Sequence, residues 1–145
     1  MKKIFIAALF AVTFITSAFA ADVTNINTNI MKNFTSSFKN ATNVLTVAGE
    51  DYTKVSFTLE DQKMEAFYDA EGEMIGLSRT IKVENLPVEA KRTFARKYAA
   101  YTAKEAIYFE GINESAYFIS ADNTIDTIVF KITDDNNVST FKKVK

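Results

Sequence analysis

The 145-residue chain contains no cysteine, no histidine and no tryptophan, and has a single proline and four glycines. Each absence removes a class of function. Without cysteine no disulfide can tie the fold together, so its stability must come from apolar burial and strand pairing. Without histidine or cysteine, the commonest general base, the thiol nucleophile and the usual transition-metal ligands are missing. No serine sits in a glycine-flanked nucleophile turn, and four glycines leave no loop that could cradle a phosphate. Carboxylate pairs do occur, at Glu60/Asp61, Glu71/Glu73 and Asp134/Asp135. All three fall in expected turns, where acids serve local hydrogen bonding and solvation better than acid–base chemistry. Asp134-Asp135-Asn136-Asn137 lacks the spaced ligands and bidentate Glu of a calcium loop, and Asp69 to Glu73 is too short to supply them. The chain is therefore read as a non-enzyme, with no catalytic residue, no metal site and no cofactor.

Clustered positive charge is also scarce. Seventeen Lys and Arg face 18 Asp and Glu, a formal net charge of −1. Nucleic acid and anionic membrane both need concentrated Lys and Arg, so neither is expected as a partner. What the sequence does have begins at its first residues. Lys2 and Lys3 form a positive segment, Ile4 to Ile15 an apolar one, and Ala18-Phe19-Ala20 a small-x-small cleavage site. This is the pattern of a secretory signal peptide, with cleavage after Ala20. The apolar run is shorter than the roughly 20 residues that cross a bilayer, and an Asn-rich segment follows it. Residues 1–20 are thus expected to be removed, leaving a periplasmic or secreted protein without membrane insertion. Subtracting 20 from 145 leaves a single domain of 125 residues, 21–145; subtracting the two leader lysines from 17 leaves 15 basic against 18 acidic groups, a net charge of −3.

Two kinds of periodicity alternate along that mature chain. Ile26, Ile30, Phe34 and Phe38 recur every fourth residue, as do Leu86, Ala90, Phe94 and Tyr98, which predicts two amphipathic helices with narrow apolar stripes. Asn85 is the expected N-cap of the second helix, with Pro87 in its first turn. Elsewhere the period is two. Val44 to Ala48, Tyr52 to Leu59, Met64 to Tyr68 and a segment ending at Ile81 read as strands, and four more are expected from Ala103 to the end. An even loop between Leu59 and Met64 puts Val55, Phe57 and Leu59 on one face with Met64, Ala66 and Tyr68. Ile75, Leu77 and Ile81 are expected on that core face too, since exposure would forgo about 1.5 to 3 kcal/mol for each.

A shift of 60 residues superposes the two helical stripes, and a shift of 62 carries Val55, Phe57 and Tyr68 onto Tyr117, Ile119 and Phe130. This predicts an α+β fold of two tandem copies, about 26–82 and 86–145. Each copy would be one helix plus a four-stranded antiparallel sheet, with the helices packed on one face. Phe67, Phe118, Ile125 and Val129 are left on the other, outward face.

The leader, a short helix, a hairpin ending in Tyr68-Asp69-Ala70-Glu71-Gly72, the Leu86-Pro87 helix start and a second helix-plus-hairpin segment together resemble the PepSY-like proteins. These are also described as β-lactamase-inhibitor-like, small periplasmic or secreted proteins of Gram-negative bacteria. The resemblance covers roughly Phe34 to Lys145 and implies a helix-plus-antiparallel-sheet fold that inhibits or modulates a secreted enzyme by direct contact. The chain lacks the Cys and Trp that would carry disulfides and Trp anchors, so no binding residue transfers from the family.

Three functions fit these readings. The first is a non-enzymatic exported protein that binds another exported protein through the outward sheet face, with Phe67, Phe118, Val129 and Ile125 as partner-binding candidates. A small-molecule or lipid carrier is the second, although so aromatic an inner face is expected to fill the space a ligand would need. The third is a structural or stress-protective role. Oligomeric state has no signature in the sequence.

Overall fold

The computed structural model describes residues 27–144. The signal segment, the polar arm after it, Ile26 and Lys145 lie outside the described residues. Eight strands, β1 (Thr42–Ala48), β2 (Thr53–Leu59), β3 (Gln62–Tyr68), β4 (Met74–Ile81), β5 (Thr102–Gly111), β6 (Ser115–Asp122), β7 (Thr127–Ile132) and β8 (Val138–Lys143), belong to one sheet in strict sequence order. Two ten-residue helices, α1 (Thr28–Ser37) and α2 (Val88–Lys97), accompany them. The expected pair of separate helix-plus-four-strand units is therefore incorrect: there is one eight-stranded antiparallel sheet. Periodicity tells which face of a strand is apolar, but which strand lies at a sheet edge is decided by non-local pairing that leaves no local pattern.

By compactness the chain divides at Arg79/Thr80. In the first unit, Ile30 and Phe34 of α1 are buried against Val55, Phe57, Ala66 and Tyr68. Phe34 meets Phe57 edge-on at 5.0 Å between ring centroids, and Phe38 lies 4.6 Å from the same ring. Aromatic pairs of this kind add about 0.5–1.5 kcal/mol beyond their buried area. The β2–β3 connection is the two-residue turn Glu60-Asp61, with both residues at positive φ, 50° and 62°. That shape is typical of tight hairpins. Its even length sets the register Val55↔Ala66 and Phe57↔Met64, so the expected inner face is observed. Leu77 joins it opposite Ala66. Ile75 does not: Phe67 pairs with Gly76 and Tyr68 with Met74, so Ile75 is the extra residue of a bulge, buried but outside the helix cluster.

The turn after β3 is built to receive α1. Asp69 Oδ1 accepts the backbone N–H groups of Glu71 and Glu73 at 3.0 and 2.9 Å, which fixes the loop. Asn27 caps the helix by accepting from the Asn29 N–H at 2.9 Å, while its amide donates to the Ala70 carbonyl at 3.0 Å. Asn33 donates to the Gly72 carbonyl at 2.6 Å. Gly72 stands at φ +90°, and a β-carbon there would lie 2.9 Å from the Asn29 β-carbon. The Tyr68-Asp69-Ala70-Glu71-Gly72 segment is thus a latch between strand and helix, and its glycine serves both conformation and contact.

The second unit opens with a 3₁₀ turn, Val83–Asn85, that packs beside the core. Asn85 belongs to this turn and does not cap α2. Pro87 is the capping residue, and Leu86 before it is extended at φ −63°, ψ 149°, as steric conflict with the proline ring requires. Leu86, Ala90 and Phe94 are buried against Ala106, Ile119, Ala121, Phe130, Ile132 and Val138. Three rings converge on Phe130: Tyr98 at 4.4 Å, Phe94 at 5.2 Å and Tyr101 at 5.4 Å. These rings and the buried aliphatic residues pack together between α2 and its strands.

Candidate functional site

The β6–β7 hairpin ends in Asn123-Thr124-Ile125-Asp126. Asn123 organises it. Its backbone N–H donates to the Asp126 carbonyl at 3.0 Å, and its side-chain Oδ1 accepts from the Ile125 and Asp126 N–H groups at 2.7 and 2.6 Å. An asparagine side chain here takes the place of a backbone carbonyl and stiffens the turn without glycine. Asp126 is held in addition by the Lys143 ammonium of β8 at 2.6 Å. The same hydrogen bond keeps Lys143 above its usual range of ionisation. On this rigid tip the Ile125 side chain is 80% exposed, the most exposed of the large apolar residues described.

The other three residues expected on the outward face occupy different surroundings. Strand register does place Phe67 on the face away from α1, opposite Lys54 and Gly76. Phe118 and Val129 lie opposite Lys131 and Ser120, again outside the α2 cluster. All three are nevertheless buried, at 0–1% exposure. The Phe67 ring meets Tyr52 edge-on at 5.9 Å, and Phe118 meets Phe141 at 5.1 Å. The reading of these three as open surface is thus corrected. Alternation decides the side of the sheet to which a residue points, whereas openness depends on what packs over that side.

Sequence reasoning passed over Ile112, which is 71% exposed in the β5–β6 turn. That turn closes through the Gly111 N–H to the Glu114 carbonyl at 2.8 Å, and the Glu114 carboxylate pairs with Lys131. An isoleucine inside Gly-Ile-Asn-Glu was the available signal, since that sequence otherwise reads as polar turn chemistry.

Several charged residues elsewhere are committed to local structure. On α2, Lys91 donates to the Glu84 carbonyl at 2.8 Å, Arg92 pairs with Glu89 at 2.9 Å, and Lys97 reaches the Val138 carbonyl at 3.1 Å. Asp135 sits in its turn with the Thr133 hydroxyl and the Asn137 N–H on its carboxylate, which together hold it below the usual carboxylate range. Among the described residues no group of three or more His, Cys, Asp or Glu could hold a metal ion, and no helix is long and apolar enough to cross a membrane.

No family model matches the sequence, and no curated protein matches it. Solved structures do match its fold. A DUF2874 family protein from Bacteroides uniformis superposes with a TM-score of 0.75 at 10% identity, over 83% of this chain and 91% of that one. A BLIP-like protein from Bacteroides fragilis gives 0.68 at 14% identity, over 83% and 87%. A provisionally periplasmic protein from Bacteroides eggerthii gives 0.75 at 8% identity, over 83% and 90%. At these identities the likeness is one of fold. It supports the β-lactamase-inhibitor-like side of the expected resemblance and not PepSY specifically.

Proposed function

We propose that the chain is a non-enzymatic protein, exported after cleavage behind Ala20, that binds another exported protein and modulates it. The carrying observation is Ile125, an apolar side chain 80% exposed on a hairpin tip that is fixed by Asn123 and tethered through Asp126 to Lys143. A rigid anchor of this kind loses little conformational freedom on entering an apolar pocket, which is where protein contacts concentrate their energy. Phe118 and Val129, buried in β6 and β7, hold the two strands of that hairpin in the sheet, and Phe67 has a comparable supporting role in the first unit. The fold shared with a BLIP-like protein and a provisionally periplasmic one supports a role in binding outside the cytoplasm. Chemical crosslinking of the exported protein in its host, followed by identification of adducts, tests the reading. The adduct is expected with wild type and lost with Ile125→Ser. An adduct equally abundant with Ile125→Ser would reject the hairpin as the contact.

A further inference from the structure

A second feature lies on the sheet face away from α1. Glu65, mid-way along β3, stands opposite Ser56 of β2 and Ser78 of β4. One carboxylate oxygen, Oε1, lies 3.3 Å from Lys54 Nζ and accepts from the Ser56 hydroxyl at 3.3 Å. Both charged side chains are largely withdrawn from water, at 13% and 15% exposure. The other oxygen, Oε2, is buried and has no hydrogen-bond partner. An ion pair buried in this half-satisfied state is poorly compensated, because attraction offsets desolvation only when the remaining lone pairs are also met.

Among the described residues, Lys54 is the cation that acts on Glu65. From β2 the groups facing Glu65 are Lys54 and Ser56, with Tyr52 just before the strand. Ser78 is the polar group from β4, and Lys63, two residues away on the same face of β3, is exposed. Beyond them β1 contributes Leu45 and Val47, opposite Ser56 and Lys54. Burial outweighs the attraction of Lys54 and the Ser56 hydrogen bond, so the Glu65 carboxyl is pushed above its usual range. The Tyr52 hydroxyl is raised as well, by burial first and then by the charges of Asp51 and Glu65.

We propose that Glu65 and Lys54 form a proton-operated switch. On mild acidification Glu65 takes a proton at the unpartnered Oε2, the ion pair is lost, and Lys54 is left as an uncompensated cation that turns out to water. The sheet face bearing Phe67 then gains one positive charge. The sign follows from linkage. A carboxyl raised in the folded state binds its proton more tightly there than in the unfolded chain, so this group adds stability as pH falls from its raised value toward the ordinary one. An exported protein is exposed to external pH more directly than a cytoplasmic one, but the switch needs no partner and does not depend on the Ile125 contact.

The test uses the purified protein. Side-chain carboxyl resonances of Glu65 and the Nζ and Cε resonances of Lys54 are followed by NMR from about pH 3 to 8. Glu65 is expected to titrate above the ordinary Glu value of about 4.3, and the Lys54 signals to move with the same midpoint. Lys54→Met should raise the Glu65 midpoint further. Ser56→Ala should raise it less, and serves if Lys54→Met does not fold. A Glu65 midpoint at or below the ordinary value, or Lys54 signals flat across it, would overturn the proposal.

Discussion

Replacing Gly72 by alanine should be among the most damaging single-methyl additions to this protein. Gly72 stands at φ +90°, where a side chain with a β-carbon is strained, at about 1–2 kcal/mol. The added carbon would also lie 2.9 Å from the Asn29 β-carbon, 3.2 Å from the Asn29 carbonyl carbon and 3.3 Å from the Ile30 nitrogen. The last two are helix backbone and cannot swing away as a flexible side chain would. Overpacking of that kind costs about 1–3 kcal/mol. The two together come to about 2–5 kcal/mol, a large share of the 5–15 kcal/mol typical of a whole domain. Urea unfolding of Gly72→Ala should show a lower midpoint with little change in slope. Gly72→Asn separates the two causes, since asparagine tolerates positive φ but keeps the contact, and it should recover only part of the loss. If Gly72→Ala lies within about 0.5 kcal/mol of wild type, the range of an ordinary surface change, the latch between the β3–β4 turn and α1 is wrongly described.

Other substitutions probe the same account. Tyr68 is buried with no hydrogen-bond partner for its hydroxyl, and burial pushes that group up to about 12. Tyr68→Phe should therefore be neutral or stabilising in urea unfolding, whereas a loss above about 1 kcal/mol would show that the hydroxyl is satisfied in solution. Asn27 both caps α1 and holds the Ala70 carbonyl. Asn27→Ala should cost about 1–2 kcal/mol and speed amide exchange in α1 before it does so in β2. Ile125→Ser, at an 80% exposed tip, should leave stability within about 0.5 kcal/mol of wild type, so that any loss of binding can be read as a contact effect.

Much of this fold is local in origin, and that part was legible. Ile30 and Phe34, like Ala90 and Phe94, are spaced to fall on one helix face, and both pairs are buried as that spacing dictates. Any even loop between Leu59 and Met64 places the inner face of β2 and β3, and the two-residue turn Glu60-Asp61 has that parity. Ile75 escaped the same logic because a single bulge residue reverses parity, and no residue type announces one here. Asn85 looked like a helix cap because Asn commonly is one, but the proline two residues later forced Leu86 out of helical geometry and moved the helix start to Val88. Membership of all eight strands in one sheet was not legible, since strand edges pair through backbone groups common to every sequence. The site divides in the same way. The side of the sheet occupied by Phe67 followed from alternation, while its burial and the half-satisfied Glu65 beside it depend on tertiary packing.

The central claim, contact with another exported protein through the β6–β7 tip, is tested most directly by a photoreactive residue placed at position 125 of the full chain expressed in its host. Control positions are Asn113, beside the other exposed isoleucine, and Glu60, in the β2–β3 turn. The account predicts a discrete heterologous adduct from position 125 that weakens when Asn123→Ala loosens the tip. No adduct at position 125, together with one from Asn113 or Glu60, would contradict it.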